Sequence, residues 1–170
     1  MPGSSNPVAE AVFARLTEAD FGPYFGTPCG VLAPLYQLLE HSARLTTVGR
    51  EDNAVGLAAG AALAGKQPAV LMQNSGFGQS VNAVASLVVP YRIPMLLIIS
   101  MRGVAPDRTE ENIGMGVLTR LILDRLGIPV WAVDDDPASS DAVAKADVTM
   151  RQESRPVALL VAPDAFGWRP

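Results

Sequence analysis

The sequence predicts an α/β protein built on a single doubly wound, mainly parallel sheet with helices on both faces. Helical and strand patterns alternate along the whole chain, which is typical of this class. Continuous apolar runs such as 93–100 are typical of parallel strands that helices cover on both sides. A length of 170 residues fits one domain with a proper core, so we expect residues 1–170 to form a single domain.

The individual elements follow from periodicity and from turn residues. Val8, Val12 and Leu16 share one face and predict an amphipathic first helix over 7–20. The pattern then predicts a strand over 21–26, a helix over 31–40, a strand over 45–48, a helix opened by Glu51 and a buried strand over 68–73. After the strand over 93–100 it predicts a helix over 112–126, a strand over 130–133, a helix over 137–147 and a last strand over 157–161.

Composition and charge exclude several classes of function. Thirteen Lys and Arg against seventeen Asp and Glu give a net charge of −4, and no basic run is present, so we expect no nucleic-acid partner. The longest apolar stretch is too short to cross a bilayer, so we expect no membrane partner. The first ten residues lack the pattern of a signal peptide and Cys29 is the single cysteine, which together point to the cytoplasm. A hydrophobic content of 49% suggests that some surface is buried against another subunit.

The most informative segment is 49–82, GREDNAVGLAAGAALAGKQPAVLMQNSGFGQSVN. Glu51 opens a helix of small residues, a buried strand follows, and 74–78 is predicted to turn tightly into the next helix. A carboxylate and a glycine loop are therefore expected at one edge of the sheet, where open α/β folds bind ligands.

Simpler interpretations of these residues stay open at the level of single positions. Glu51 and Asp52 are favoured in a first helical turn by the helix dipole alone. Gly76 and Gly78 can serve only to permit a tight turn. Cys29 is more often a small buried hydrophobe than a nucleophile. No spacing in the chain indicates a metal site, so none is predicted.

Arg102 has two interpretations, because it follows the 93–100 strand at the expected ligand edge. It can pair with a carboxylate, sulfonate or phosphonate of a ligand. It can equally fix its own loop through an ion pair with Asp107, Glu110 or Glu111. The segment 101–116 begins as a polar stretch with a proline and is predicted to form a mobile loop.

The chain resembles the alpha subunit of two-subunit sulfopyruvate decarboxylases and the N-terminal domain of phosphonopyruvate decarboxylases, which are thiamine diphosphate enzymes. The resemblance rests on TPCG after the first strand, REDNAVGLAAG around Glu51, LMQNSGFGQSVNAVASL, YRIPMLLIISMRG and a later MG followed by LGIP. The MQNSG stretch with its following Gly-x-x-x-Asn is the most specific of these motifs. One departure concerns the substrate: the relatives usually carry an acid after the Arg-Gly pair, whereas Gly103 is followed here by Val104.

The resemblance implies a pyrimidine domain, which binds the aminopyrimidine end of thiamine diphosphate. By position in the motif, Glu51 is the catalytic carboxyl group that shares a proton with that ring. The turn that contains Cys29 matches the first loop that faces the substrate, and Arg102 is the second substrate-binding candidate. The cofactor-binding residues implied are Glu51, Gln73, Asn74, Ser75, Gly76, Phe77 and Gly78.

The resemblance also implies a partner. In this family the diphosphate and its Mg²⁺ go to a second domain marked by a Gly-Asp-Gly motif, which this sequence lacks. We therefore expect a separate diphosphate-binding beta subunit, a hetero-oligomer, and decarboxylation of a 2-oxo acid. A carboligase subunit, a flavodoxin-like nucleotide-binding module that binds its ligand alone, and a subunit that only scaffolds its partner are the alternatives. Glu51 argues against the scaffold, which has no need of an acid there.

Overall fold

The computed structural model describes residues 6–42 and 44–169, and these form one six-stranded sheet. The strands are β1 (Tyr24–Gly26), β2 (Leu45–Thr47), β3 (Ala69–Gln73), β4 (Leu96–Ser100), β5 (Val130–Val133) and β6 (Val157–Val161). Their order across the sheet is β2-β1-β3-β4-β6-β5, and every neighbouring pair is parallel. The predicted α/β class with a parallel sheet is confirmed.

Helices cover both faces of this sheet. They are α1 (Pro7–Glu18), α2 (Ala33–His41), α3 (Glu51–Leu63), α4 (Asn74–Ala83), α5 (Glu110–Arg125) and α6 (Asp141–Glu153). A π-helical turn, Val84–Val88, continues α4, and a 3-10 turn, Pro137–Ser140, precedes α6. Helices α1, α2 and α6 pack on one face, whereas α3, α4 and α5 pack on the other.

The central strand β4 shows why its sequence is continuously apolar. Leu96 and Ile98 belong to the core beneath α1, α2 and α6, and Leu97 and Ile99 belong to the core beneath α3, α4 and α5. Successive side chains of a strand point to opposite faces, so a strand buried on both sides needs apolar residues at every position.

Several predicted boundaries are corrected by the structure; the helix predicted over 137–147, for example, is α6, which ends only at Glu153. The strand predicted over 93–100 begins at Leu96, after Pro94, which cannot donate to a sheet ladder. The tight turn predicted over 74–78 is the first half of α4, because the chain passes from β3 into this helix with Gln73 as the extended N-cap. The loop predicted over 101–116 extends only to Thr109, since α5 begins at Glu110; its mobility remains a prediction.

The strand order creates a crevice between β1 and β3. From β1 the chain crosses to β2 on one side and then returns to β3 on the other side. Ligands of open α/β sheets bind outside the carboxyl ends of the strands at such a switch point. The segments that follow β1 and β3, together with the first turn of α3, meet there.

Candidate active site

Glu51 is the first residue of α3 and lies half-buried at this crevice. Thr27, the residue after β1, donates its hydroxyl to Glu51 Oε1 at 2.9 Å. With its amide oriented so that the nitrogen faces the carboxylate, Gln79 of α4 donates to Glu51 Oε2 at 3.1 Å, and its oxygen accepts from Arg50 Nη2 at 3.1 Å. Both carboxylate oxygens are therefore positioned by side chains from two other elements.

Gly76 provides the space that the Glu51 carboxyl occupies. A β-carbon at position 76 would lie 2.4 Å from both Cγ and Oε1 of Glu51, well inside van der Waals contact. The glycine is therefore needed at this position to let α4 approach the carboxyl group. A turn conformation does not explain it, because Gly76 is helical.

The floor of the crevice is fixed by Tyr36 of α2. Its hydroxyl donates to the backbone oxygens of Thr27 at 2.5 Å and Leu71 at 3.2 Å, which ties β1 to β3. Burial raises the pKa of Tyr36 far above its ordinary value, so the phenol stays protonated and keeps donating. Gly26 makes this contact possible, since a β-carbon there would lie 2.3 Å from the Tyr36 hydroxyl.

The segment 73–75 provides polar groups beside Glu51. Gln73 is half-buried and donates from Nε2 to the Ser75 hydroxyl at 2.8 Å, and Ser75 is exposed. Asn74 is 1% exposed and donates to the backbone oxygen of Arg102 at 2.9 Å. Within the described part of the chain, Asn74 Oδ1 is buried without a hydrogen-bond partner, which leaves an acceptor in need of a donor.

Phe77 and Gly78 have a different position. Phe77 is fully buried in the core beneath α3, α4 and α5. Gly78 faces α5, where a β-carbon would lie 2.9 Å from Met115 Cε. The structure thus gives both residues a packing role that positions α4.

Cys29 lies in the loop after β1 and is half-buried. Its sulfur is 3.1 Å from the hydroxyl oxygen of Ser100, the buried last residue of β4. This contact fixes the first loop across the end of β3. That Cys29 faces a substrate remains a prediction.

Arg102 lies on the loop after β4, and its side chain is 20% exposed. Its Nε donates to the fully buried carboxylate of Asp107 at 2.5 Å, and its guanidinium carbon is 4.4 Å from the centroid of the Trp168 ring. Among the described residues, no hydrogen bond or ion pair joins Arg102 to Glu51, and Arg102 Nη1 has no protein partner. The sequence offers three acids as ion-pair partners of Arg102, and the structure shows the pair with Asp107.

Asp107 organises this loop from within. Besides Arg102 it accepts hydrogen bonds from the backbone nitrogens of Gly103 at 2.9 Å and Thr109 at 3.0 Å, and from the Thr109 hydroxyl. These donors, the Arg102 guanidinium first, hold the pKa of Asp107 well below its ordinary value. The carboxylate stays charged and fixes the segment 102–109.

The donor set around Glu51 fits a neutral heterocycle better than a phosphate. Arg50, the nearest cation, is engaged by Asp52 at 2.9 Å, and Arg102 is engaged by Asp107. In residues 6–42 and 44–169 no group of three or more His, Cys, Asp and Glu side chains could hold a metal ion. No helix in the same part of the chain is long and apolar enough to cross a membrane.

Residues 6–115 match the family described as thiamine pyrophosphate enzyme, N-terminal TPP binding domain. The chain belongs to this family. The TPP-binding domain is 38% identical over 160 residues to sulfopyruvate decarboxylase subunit alpha of Methanocaldococcus jannaschii, covering 93% of this chain and 94% of the relative.

Two further relatives are longer chains. A sulfopyruvate decarboxylase of Methanosarcina acetivorans is 30% identical over 139 residues, which are 82% of the TPP-binding domain and 36% of the relative. A phosphonopyruvate decarboxylase of Streptomyces viridochromogenes is 35% identical over 119 residues, 68% of this chain and 30% of the relative. These names confirm the resemblance and the enzyme class that the motifs predict.

Thr27 and Gln79 are the site residues that the sequence did not identify. Thr27 directly follows a buried strand, which was an available signal for a residue at the ligand edge. Gln79 lies three residues after Gly76 in α4, so the two share a helix face. That relation is visible only once 74–78 is known to be helical.

Proposed function

We propose that this chain is the alpha subunit of a thiamine diphosphate-dependent decarboxylase of the sulfopyruvate or phosphonopyruvate type. Glu51 would act on the cofactor's aminopyrimidine at an interface with a separate diphosphate-binding subunit. The observation that carries this proposal is the position of the Glu51 carboxyl, which two side chains and the space at Gly76 fix at the switch-point crevice. The identity to a named alpha subunit over 94% of its length supports it.

When bound, thiamine diphosphate supplies the nucleophilic carbon and the electron sink that decarboxylation of a 2-oxo acid requires. Glu51 would share a proton with a nitrogen of the pyrimidine ring, which activates the ring for its own proton transfer. Thr27 and Gln79 would keep the carboxyl in place for this transfer. The chemistry needs one positioned acid from this chain, and the described site provides one.

The rest of the segment would form the wall that the pyrimidine contacts. Gln73, Asn74, Ser75 and Gly76 would line it. The buried Oδ1 of Asn74, which has no partner among the described residues, would be an acceptor for a ligand N–H. Phe77 and Gly78 would hold α4 in position, Phe77 by packing in the core and Gly78 by packing against α5. Cys29 would lie on the substrate side of the crevice.

A beta subunit with a Gly-Asp-Gly motif would hold the diphosphate and Mg²⁺. The word alpha in the name of the relative implies a second subunit in that enzyme. This chain matches only 36% and 30% of the length of two relatives. Each of those single polypeptides is therefore long enough to contain a diphosphate-binding domain as well. The names of these relatives favour decarboxylation. A carboligase could use the same half-site.

Replacing Glu51 by Gln tests the proposal. The side chain keeps its size and can still contact Thr27, so folding and assembly should persist. An amide cannot share the proton, and we expect turnover of the assembled enzyme to fall by about a hundred- to ten-thousand-fold. The measurements are turnover and exchange of the cofactor's thiazolium proton into deuterated water.

Asp52→Asn is the matched control, because Asp52 is the next residue and pairs with Arg50 instead of Thr27 and Gln79. It should leave both rates nearly unchanged. If the Glu51 variant exchanges as fast as the unmodified protein, this carboxyl does not activate the cofactor. If only the Asp52 variant slows, the assignment has the wrong residue.

Arg102 is proposed to read the second anionic group of the substrate through Nη1, which has no hydrogen-bond partner among the described residues. Arg102→Ala should then raise KM for a 3-sulfonate or 3-phosphonate 2-oxo acid by about tenfold or more relative to pyruvate. The comparison of the two substrates separates recognition from loop structure. Equal losses on both would assign Arg102 only to its ion pair with Asp107.

A further inference from the structure

The segment that follows β6 emerges at the edge of the sheet that carries the candidate site. Strands β4 and β6 are neighbours, and they end level with each other because Ser100 pairs with Val161 in the register. The backbone nitrogen of Met101 also donates to the oxygen of Val161 at 2.8 Å. The residues after β6 therefore lie beside the loop that carries Arg102.

A packed turn sets the position of Trp168 in this segment. Ala165 and Phe166 are buried in the core beneath α1, α2 and α6. Gly167 follows with a φ of 80°, a conformation that glycine adopts readily, and its nitrogen donates to the oxygen of Asp164 at 2.9 Å. Trp168 comes directly after this turn and is half-buried. The tryptophan is therefore attached to a fixed part of the core.

The indole ring of Trp168 covers one face of the Arg102 guanidinium. The guanidinium carbon lies 4.4 Å from the ring centroid, well within the distance of about 6 Å at which an aromatic face attracts a cation. Arginine is suited to this contact because its guanidinium is planar and stacks on aromatic rings. The contact uses the face of the guanidinium, so it occupies none of the N–H donors at the edge.

The donors at the edge of the Arg102 guanidinium are only partly occupied. Nε donates to Asp107, and Nη2 lies 3.4 Å from the hydroxyl oxygen of Thr109. Nη1 has no hydrogen-bond partner among the described residues. Asp107 thus fixes the guanidinium from its edge and Trp168 fixes it from its face. Together they leave the donors of one nitrogen available to an anion.

We infer that Trp168 is a positioning residue that sets substrate specificity by orienting Arg102 toward the second anionic group of the 2-oxo acid; this rests on the proposed function of Arg102. A flexible arginine loses rotamer freedom when it binds a ligand, and the stacked ring removes part of that cost in advance. The ring carries no charge that would cancel that of the guanidinium, so the attraction for a sulfonate or phosphonate is kept. Trp168 lies outside residues 6–115, which match the family pattern, so that pattern does not include it.

Trp168→Leu tests the inference in the assembled enzyme, because leucine is apolar but has no aromatic face. We expect KM for a 3-sulfonate 2-oxo acid to rise by about fivefold relative to KM for pyruvate, with kcat nearly unchanged on both substrates. Trp168→Phe restores a ring and should recover most of this difference. Trp131→Leu is the matched control, since Trp131 packs against the core beneath α1, α2 and α6, and it should leave the ratio of the two KM values unchanged.

A double-mutant cycle shows whether Trp168 acts through Arg102. If it does, Trp168→Leu should not change the KM ratio further in a chain that already carries Arg102→Ala. A full effect of Trp168→Leu in that chain, or an equal rise of KM for both substrates, would overturn the inference.

The same cycle separates this inference from the proposed role of Arg102. A raised KM ratio in Arg102→Ala with an unchanged ratio in Trp168→Leu would overturn only the role of Trp168. An unchanged ratio in Arg102→Ala would overturn both. Thermal unfolding shows whether each variant is folded, and Trp168→Met, which also lacks a ring, takes the place of Trp168→Leu if that chain does not fold.

Discussion

The two helix layers of this protein pack on the same sheet but differ in what they present outward. The layer of α1, α2 and α6 is tied at its surface by ion pairs, such as Arg15 with Asp141 at 2.8 Å and Arg151 with Asp147 at 2.7 Å. The layer of α3, α4 and α5 carries Glu51 and nearly all of the exposed large apolar side chains. Burial of the core explains why the inner side of both layers is apolar. It does not explain why their outer surfaces differ, so we relate that difference to function.

The layers also differ in the use of small residues. At Gly76 and Gly78 in α4, another side chain occupies the place of a β-carbon. Gly56 and Gly60 in α3 have open space instead. Glycines of the first kind position the site within this chain. Packing within the described part of this chain does not require glycine at positions of the second kind.

The largest effect expected from this comparison concerns Gly76. Gly76→Ala should displace the Glu51 carboxyl, since the new β-carbon would lie 2.4 Å from it, and turnover of the assembled enzyme should fall by about a hundredfold. Stability should change little, because the displaced group is the end of a flexible side chain. Steady-state kinetics and thermal unfolding would measure the two quantities.

Gly56→Ala provides the contrast to that substitution. It has open space in the isolated chain and should raise the free energy of unfolding by about 0.5 to 1 kcal/mol through helix propensity. A Gly76 variant with full activity would show that the precise position of the Glu51 carboxyl is unimportant.

A smaller effect is expected at Asp107, which lies in the loop between β4 and α5. Asp107→Asn leaves the Arg102 guanidinium without its buried carboxylate and should lower the free energy of unfolding by about 2 to 4 kcal/mol. Asp147→Asn in the opposite layer breaks an ion pair whose Arg151 side chain is 48% exposed and should cost about 0.5 kcal/mol. Urea unfolding of the two variants gives the comparison, and equal costs would contradict it.

The Asp107 effect should depend on pH. Because the folded-state pKa of this carboxyl is lowered, its contribution to stability is present above the unfolded-state pKa of about 3.9 and is lost as the pH falls below that value. The difference between the unmodified protein and Asp107→Asn should therefore shrink from neutral pH to about pH 3. A difference that stays constant over this range would show that the charge of Asp107 contributes nothing.

Much of the fold could be predicted from the sequence, because strands buried on both faces must be continuously apolar. The strands Val130–Val133 and Val157–Val161 have the predicted bounds. The start of the helix at Glu51 was also predicted, since it follows from the acidic first turn and the run of small residues. Pro94 falls inside a predicted strand because its neighbours are apolar.

The contacts of the site could not be predicted in the same way. Residue spacing does not show which side chain packs against a glycine. The sequence therefore predicts a turn at Gly76, although the Glu51 side chain occupies the space of a β-carbon there. The sequence offered three acids to Arg102, and only the path of the loop selects Asp107. Gln79 reaches Glu51 only because β3 leads directly into a helix.

The central claim is that this chain holds one half of a divided cofactor site. Calorimetric titration with thiamine diphosphate and Mg²⁺ tests it most directly, performed first on the isolated chain and then on the chain with the diphosphate-binding subunit. We predict weak binding to the isolated chain and tight, magnesium-dependent binding to the assembly. Tight magnesium-dependent binding by this chain alone would contradict the account.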